Sequence, residues 1–333
     1  MKVFAITVGD QQAGSTKYRL MDYVPFLQQH GISVECVAQK DLKLSHLTQI
    51  AQADLLFNQK CLIEPKLTHA IICHSKRIIF DFDDAIYTRP GKPYFCLTQW
   101  RVNARLKLWL QASDHVIAAN HFLSSYAEKH TSNAVVIPMA LSEQTWQVAA
   151  QRAHKAVAQK AMTIGWAGAP SNLPHLERIE PVLRRVLSAF PHVQLAVFSG
   201  KRPQLSCPYA FTPFQEGQEA PFIQQLDIGL LPLTEEEFSK GKSPIKALQY
   251  LACGIPVVGN VYGASREILN ARNSIAVESF AEWSQALHHL IENPAAASQM
   301  GLEGRSHFEK NYSREKTQLQ LLHLLLNGKA LPA

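Results

Sequence analysis

Several things are scarce in this sequence of 333 residues, and each scarcity excludes a class. No apolar run approaches the roughly 18 residues that a membrane-spanning helix needs. The six cysteines, Cys36, Cys61, Cys73, Cys96, Cys207 and Cys253, form no C-x-x-C pair and no tight framework, so they read as reduced thiols in a cytoplasmic protein. The 14 histidines never fall at HxH or HxxxH spacing, and His288 and His289 point about 100° apart on a helix, so no metal site is expected. Glycine (16) and proline (18) show no period, which excludes collagen-like repeats. Charged residues are only 18% against 47% apolar, which excludes global disorder. The balance of 33 basic against 27 acidic residues gives +6, a weak preference for nucleotide phosphates, anionic lipid or nucleic acid. There is no clustered arginine stripe, so nucleic acid is not an expected partner. The stretch Met1–Asp10 is too short for a signal segment and reads as a first strand.

What is present is length for about two domains and a repeated alternation. Strands are expected at 3–8, 33–37, 54–57, 77–82, 115–118 and 134–137, with helices between them, among them 17–30 and 100–111. Residues 141–160, rich in Gln, Ala and basic residues, read as a connection. The pattern restarts with strands at 162–167, 193–199, 209–212, 227–231, 256–259 and 275–277. Helices are expected at 173–190, 244–253, 265–271 and 280–292, with a helical tail from 294 to 326. This alternation predicts an α/β chain with two doubly wound parallel sheets, and ligands at the carboxyl ends of strands.

The segment Gly241-Lys242-Ser243-Pro244-Ile245-Lys246, continuing to Gln249-Tyr250 and Gly254-Ile255-Pro256, reads as a capped helix. Ser243 is the expected N-cap, Pro244 the first helical residue and Gly254 the stop. Lys246 then falls at the third helical position, where a cation opposes the helix dipole, and Lys242 lies just ahead. Two lysines there make sense if an anion binds between them; a pair of solvated lysines is the competing reading. Gly165 and Gly168 follow the restart strand, where glycine permits close backbone approach to a ligand or simply makes a turn. Gly263 and Ser265 mark another strand-to-helix turn, with backbone amides for phosphate or an ordinary cap.

Asp227-Ile228-Gly229-Leu230-Leu231-Pro232-Leu233, together with the 241–258 segment, resembles the donor-binding core of family-four-type (group 1) glycosyltransferases of the GT-B fold. The resemblance extends to Ile164–Gly168, Tyr262–Ile268, Ile78–Ile86 and Ala112–Asn120. It implies two Rossmann-like domains facing across a cleft: residues 1–150 on the acceptor side and 160–312 binding the nucleotide sugar. It also implies that a final helix, about 313–328, packs back on the first domain. In that family the helix region typically carries Glu-x7-Glu; this chain has Gly241 and Gln249 there, similar to a subgroup with a Lys-rich motif ending in Gln-Tyr. Gln249 would hydrogen-bond the ribose, or meet solvent on a helix face. Lys242 and Lys246 would neutralise the leaving diphosphate. Gly14 and Ser15 match the small-residue loop under the donor, with Arg19 one turn on, reaching phosphate or acceptor or lying at the surface.

Asp81, Asp83 and Asp84 close the fourth strand, and three carboxylates there must be solvated, paired or used. The Asp-x-Asp also imitates haloacid-dehalogenase-like phosphatases, but the later acidic pair such enzymes need is missing: Asp227 is the single aspartate after Asp114. For the transferase that the resemblance implies, Asp81, Asp83, Asp84 and Asn120 are assigned to the acceptor side, with Asp83 a candidate for proton removal; for the acidic cluster, a structural network tying the strand end to the neighbouring helix is the competing reading. Residues 100–109 place a basic face beside apolar residues. A helix packing its Leu and Trp into the core is favoured there over one that touches a membrane or lipid-linked acceptor. The resemblance implies a retaining hexosyltransferase of polysaccharide assembly, cytoplasmic or peripheral at the inner membrane face. It would use a nucleotide-diphosphate sugar and a glycan or lipid-linked acceptor, with no cofactor and no metal. A nucleotide-sugar epimerase of the same fold, and a non-catalytic binding relative, are the alternatives.

Overall fold

A computed structural model describes residues 1–91, 93–149 and 162–328; most of the expected connection therefore lies outside the described residues. The chain divides into two compact units. The first comprises Met1–Ala140, Glu236–Ser243 and Glu315–Ala333, and the second Leu141–Glu235 and Pro244–Arg314.

The first unit is built on a six-stranded sheet: β1 (Lys2–Thr7), β2 (Ser33–Ala38), β3 (Leu55–Gln59), β4 (Ile78–Phe82), β5 (His115–Ala118) and β6 (Ala134–Val136). Every pairing is parallel and the spatial order is β2-β1-β3-β4-β5-β6. The central strands are apolar at consecutive positions because both faces are covered, which is why β3 and β4 are buried throughout. One face packs Phe80, Trp109, Leu106 and Leu110. The other packs Tyr23, Leu27 and Ile32 with Leu321, Leu324 and Leu325 of the helix Arg314–Asn327. Arg77 caps that helix by donating to the carbonyls of Leu325 and Leu324, at 2.6 and 2.5 Å.

The second unit has β7 (Met162–Ala167), β8 (Val193–Ser199), β9 (Ala210–Pro213), β10 (Ile228–Leu231), β11 (Val257–Gly259) and β12 (Ser274–Ala276). This sheet is also parallel throughout, in the order β12-β11-β10-β7-β8-β9. The direction of winding reverses between β1 and β3 in the first unit, and between β7 and β10 in the second. Open α/β sheets open a crevice at the carboxyl ends of such strand pairs.

All twelve expected strands are present, within two residues at each end. Two expected helices are broken, both near a proline whose missing N–H cannot join the ladder. The 17–30 helix starts earlier, at Gly14, ends at Arg19 and resumes as Val24–Gln29 with Pro25 in its first turn. The 173–190 helix divides at Ile179, just before Glu180-Pro181.

Tyr250 explains part of the second unit's geometry. Its ring lies where a Cβ on Gly229 would stand, 2.6 Å from the ring carbon Cγ. β10 and β7 pair at Ile228↔Ile164 and Gly229↔Gly165 and then part. The Tyr250 hydroxyl bridges the parting strands: it accepts from Ala167 N at 3.1 Å and donates to Leu230 O at 3.3 Å. Burial pushes its phenol up, so it stays a neutral donor. Tyr250→Phe leaves the buried Ala167 N–H and Leu230 carbonyl without this partner. The expected loss is about 1–3 kcal/mol in urea denaturation; a loss under about 0.5 kcal/mol would show that the bridge is dispensable.

Candidate functional site

In the first unit, the carboxyl ends of β1, β3 and β4 gather most of the expected acceptor-side residues into one charged cluster. The β3–β4 register sets Gln59 opposite Asp81, so the residue after β3, Lys60, comes level with the Asp83-Asp84 loop. Lys60 was not singled out in the sequence. Its Nζ lies 2.7 Å from Asp83 Oδ1 and 2.5 Å from Asp84 Oδ2, and it donates to Ser15 Oγ at 2.8 Å. Ser15 Oγ in turn donates to the other Asp83 oxygen at 2.9 Å. Lys60 takes φ of +45°, the one non-glycine residue in the left-handed region among the described residues. That conformation costs a side-chain-bearing residue about 1–2 kcal/mol, and here it delivers the ammonium between two carboxylates.

Asp81 sits one strand turn deeper. Arg19 donates Nε to both of its oxygens, at 3.2 and 3.1 Å, Nη2 to its Oδ1, and Nη1 to Ile137 O at 2.8 Å. Burial opposes the Arg19 charge, and the Asp81 carboxylate overrides it, holding the guanidinium above its ordinary value. Arg19 is therefore neither at the surface nor presented to a ligand; it neutralises Asp81 in the core. Asn120 is also engaged internally, accepting from Leu123 N at 2.9 Å as a helix cap and donating to Gly241 O at 3.2 Å.

The three aspartates are not equivalent. Asp83 is 2% exposed. Burial pushes its carboxyl up, and the Lys60 ammonium, together with Arg19 and the Ser15 hydroxyl, more than reverses this, holding it below the usual range. A weakly basic, enclosed carboxylate is a poor proton acceptor, which corrects the expectation that Asp83 removes a proton. Asp84 behaves in the opposite way: burial and the Asp83 charge push its carboxyl up, and Lys60 opposes this only in part. Its side chain is 22% exposed and lines a cavity of about 400 Å³ with Lys60, Gln39, Thr88, Arg89 and Tyr94. Nothing in the sequence pointed to this cavity, because Gln39 follows β2 while Thr88 and Tyr94 stand in the connection after β4.

The lysine segment departs from the expectation in detail. Pro244, not Ser243, occupies the N-cap; the helix runs Ile245–Ala252, which puts Lys246 at the second helical position. The Ser243 hydroxyl donates to Asp83 O at 2.9 Å, and its N–H to the same oxygen at 3.2 Å. These bonds draw Glu236–Ser243 into the first unit, so Lys242 belongs there, in the field of Asp84. Lys246 stays in the second unit and pairs with Glu219 at 2.9 Å, both side chains about a quarter exposed. Gly241 is closed in: a Cβ there would meet Ala85 Cβ at 2.7 Å and Leu123 Cδ2 at 3.0 Å. The family's glutamate has no room at this position. Gln249 is 1% exposed, which overturns the solvent-facing alternative for it.

The glycines divide similarly. The space above Gly165 is filled by Leu226, 2.3 Å from an added Cβ, and that above Gly168 by the Trp166 ring at the same distance. Packing against the protein's own side chains is sufficient reason for both. Gly14 has nothing within 4 Å of an added Cβ. Gly263 has φ of +48°, and Ser265 closes its turn through Tyr262, accepting from its N–H at 2.8 Å and donating to its carbonyl at 2.7 Å. Among the described residues, no helix is long and apolar enough to cross a membrane.

Residues 163–293, which lie in the second unit apart from Glu236–Ser243, match the family described as Glycosyl transferases group 1. No curated protein matches the chain in sequence. Solved structures match it over nearly its whole length. Sucrose-phosphate synthase from Thermosynechococcus elongatus is 15% identical, with TM-score 0.75 and 98% of each chain covered. Anabaena HepE in complex with UDP-glucose is 14% identical, with TM-score 0.73, over 98% of this chain and 99% of that one. S. aureus MnaA with UDP is 13% identical, with TM-score 0.57, over 98% and 96%. At these identities the structural likeness is one of fold. Two doubly wound parallel units with a group 1 domain in the second define a glycosyltransferase of the GT-B fold.

Proposed function

We propose that this glycosyltransferase moves a sugar, with retention at the anomeric carbon and without a metal, from a nucleotide-diphosphate donor to a glycan or lipid-linked acceptor. The observation that carries the donor half is topological. The matched domain reverses its winding between β7 and β10, and its helix Ile245–Ala252 carries Lys246 in its first turn. A cation at a helix start is unfavourable by itself, and Glu219 now offsets it. A diphosphate arriving there would take over that role and have its developing charge stabilised as it leaves. The UDP and UDP-glucose held by Anabaena HepE support a nucleotide sugar of this kind.

The acceptor half rests on the cavity beside Asp84. Its lining offers a carboxylate, an amide, a hydroxyl, a guanidinium and an aromatic ring, groups that suit a polyhydroxylated ligand. Asp84, with its raised pKa and partial exposure, is the carboxylate positioned to accept a hydrogen bond from an acceptor hydroxyl. Lys60 and Asp83 hold it in place.

Incubation with UDP-, GDP- and dTDP-sugars, with product stereochemistry read by NMR, tests the reading. Donor turned over without any acceptor into an isomeric nucleotide sugar would make the protein an epimerase instead. Asp84→Asn is expected to lower transfer roughly tenfold to a hundredfold, the worth of one charged hydrogen bond, with donor affinity unchanged. A matching fall in donor affinity would remove Asp84 from the acceptor side.

A further inference from the structure

The helix Cys96–Ala112 packs as expected along its second half, where Leu106, Trp109 and Leu110 are buried. Its start does the opposite. Phe95 is 84% exposed, Leu97 73% and Trp100 70%. Leu97 and Trp100 lie one turn apart and continue along one exposed face through Ala104 to Lys107, with exposed Arg101 beside them. Between Asp84 and Asp114 the chain carries five cations (Arg89, Lys92, Arg101, Arg105 and Lys107) and no acidic residue. Lys129 extends the positive field: burial, Lys107 and Lys129 together hold the nearby His130 below its ordinary value.

We propose that this surface of the first unit docks on an anionic lipid membrane, with Phe95, Leu97 and Trp100 entering the headgroup boundary while Arg101, Lys107 and Lys129 meet lipid phosphates. A single exposed apolar side chain needs no explanation, but three large ones within six residues do. Apolar anchors with cations alongside are the make-up of an interfacial surface; the acids next to it are exposed Glu128, beside Lys129, and Glu236, which accepts from Gly91 N at 3.0 Å. The same charge pattern disfavours a second copy of the chain as the occupant. A two-fold contact sets a patch against itself, and the cations would then face cations. The cavity lies next to this surface along the chain, since Tyr94 lines it and Phe95 follows. An acceptor carried on a membrane lipid would thus be presented beside Asp84. That last step rests on the proposed acceptor reading; the surface itself does not.

The test is flotation of the full chain with phosphatidylcholine vesicles, with and without phosphatidylglycerol. Binding is expected only with the anionic lipid, weakening as salt rises. Leu97→Ser with Trp100→Ser should lower the partition coefficient roughly tenfold or more. Arg101→Glu with Lys107→Glu should abolish the preference for phosphatidylglycerol. All four side chains are exposed, so thermal stability and UDP affinity should stay at the parent's values, which separates lost docking from lost folding. No binding by the parent chain, or equal binding by parent and Leu97→Ser/Trp100→Ser, overturns the proposal. So does a concentration-dependent dimer that the same pair abolishes, which would assign the surface to a second copy. Failure of the transferase reading is separable: vesicle binding with no transfer refutes the activity alone, and transfer to a soluble acceptor with no vesicle binding refutes the surface alone.

Discussion

Lys60→Met is expected to destabilise the protein by about 3–5 kcal/mol, the usual consequence of stranding a buried charge by removing its partner. The methionine keeps the aliphatic stem and accepts the same backbone geometry, so the change isolates the ammonium. That ammonium is 2.7 Å from Asp83 Oδ1, at a carboxylate with almost no contact with water. Without it, Asp83 retains the Ser15 hydroxyl at 2.9 Å and the more distant field of Arg19. A second substitution, Asp83→Asn, removes the stranded charge and should recover much of the loss. Urea denaturation of the parent, both singles and the double completes the cycle. A Lys60→Met loss under about 1 kcal/mol, or no recovery in the double, would show that the cluster is not held by this pair.

The same cycle has a pH signature. In the parent, the folded-state pKa of Asp83 lies below its unfolded value of about 3.9. Its stabilising contribution is present above that value and lost as pH falls through the folded pKa. In Lys60→Met, burial dominates and the folded pKa moves above 3.9, so the variant loses stability as pH rises from about 4 toward neutrality. The gap between parent and variant should therefore widen from acid to neutral pH. A gap that stays flat between about pH 4.5 and 7 would contradict the assignment of charge to Asp83. Asp84→Asn should behave differently. Its raised pKa means that the folded protein holds the charged form at a disadvantage, so at neutral pH this substitution should leave stability intact or improve it. A residue kept against stability, beside a cavity, has the character of a functional group.

The fold was legible because every central strand is covered on both faces. Runs such as Ile78-Ile79-Phe80 and Leu55-Leu56-Phe57 are then apolar without interruption and stand out against polar connections. The site was legible only in part, and the reason is strand order. The sequence shows that Asp81, Asp83 and Asp84 end a strand. It does not show that β3 lies beside β4 or that β1 lies beside β3, and those two neighbours deliver Lys60 and Ser15. Arg19 reads from the sequence as reaching a ligand or lying at the surface for the same reason, since its partner is 62 positions away. The lysine motif misled at short range instead. Ser-Pro before a helical run is an N-cap signature, but Asp83 O offers the Ser243 hydroxyl a stronger fixed partner. That long-range bond displaces the cap and puts Lys242 and Lys246 in separate units. Gly241 carried a signal that only packing could decode: the absent glutamate is explained by Ala85 and Leu123, which close the space.

Lys246→Ala is expected to lower transfer by about 10²–10³, the range found when one group stabilising a developing charge is removed. The proposed leaving group is a nucleoside diphosphate, whose negative charge grows as the glycosidic bond breaks. A charge-assisted contact to that group is also felt in the ground state, so UDP affinity should fall by about 1.5–3 kcal/mol while uridine affinity stays within about 0.5 kcal/mol. Glu219→Gln gives the converse control. It removes the carboxylate 2.9 Å from Lys246 Nζ, and so should leave UDP affinity unchanged or tighter. Isothermal titration with UDP and uridine reads all of these values. Equal losses for the two ligands would place Lys246 away from the phosphates. The same chemistry bears on metal dependence. Asp81 already faces Arg19, and Asp83 and Asp84 already share Lys60, so recruiting a divalent ion to the Asp-x-Asp segment would set it against two resident cations. A lysine at the leaving group supplies the charge stabilisation that an ion would otherwise provide. Transfer should therefore survive EDTA within about twofold. Activity abolished by chelation and restored by Mg²⁺ or Mn²⁺ would move the electrostatic role from Lys246 to a bound metal.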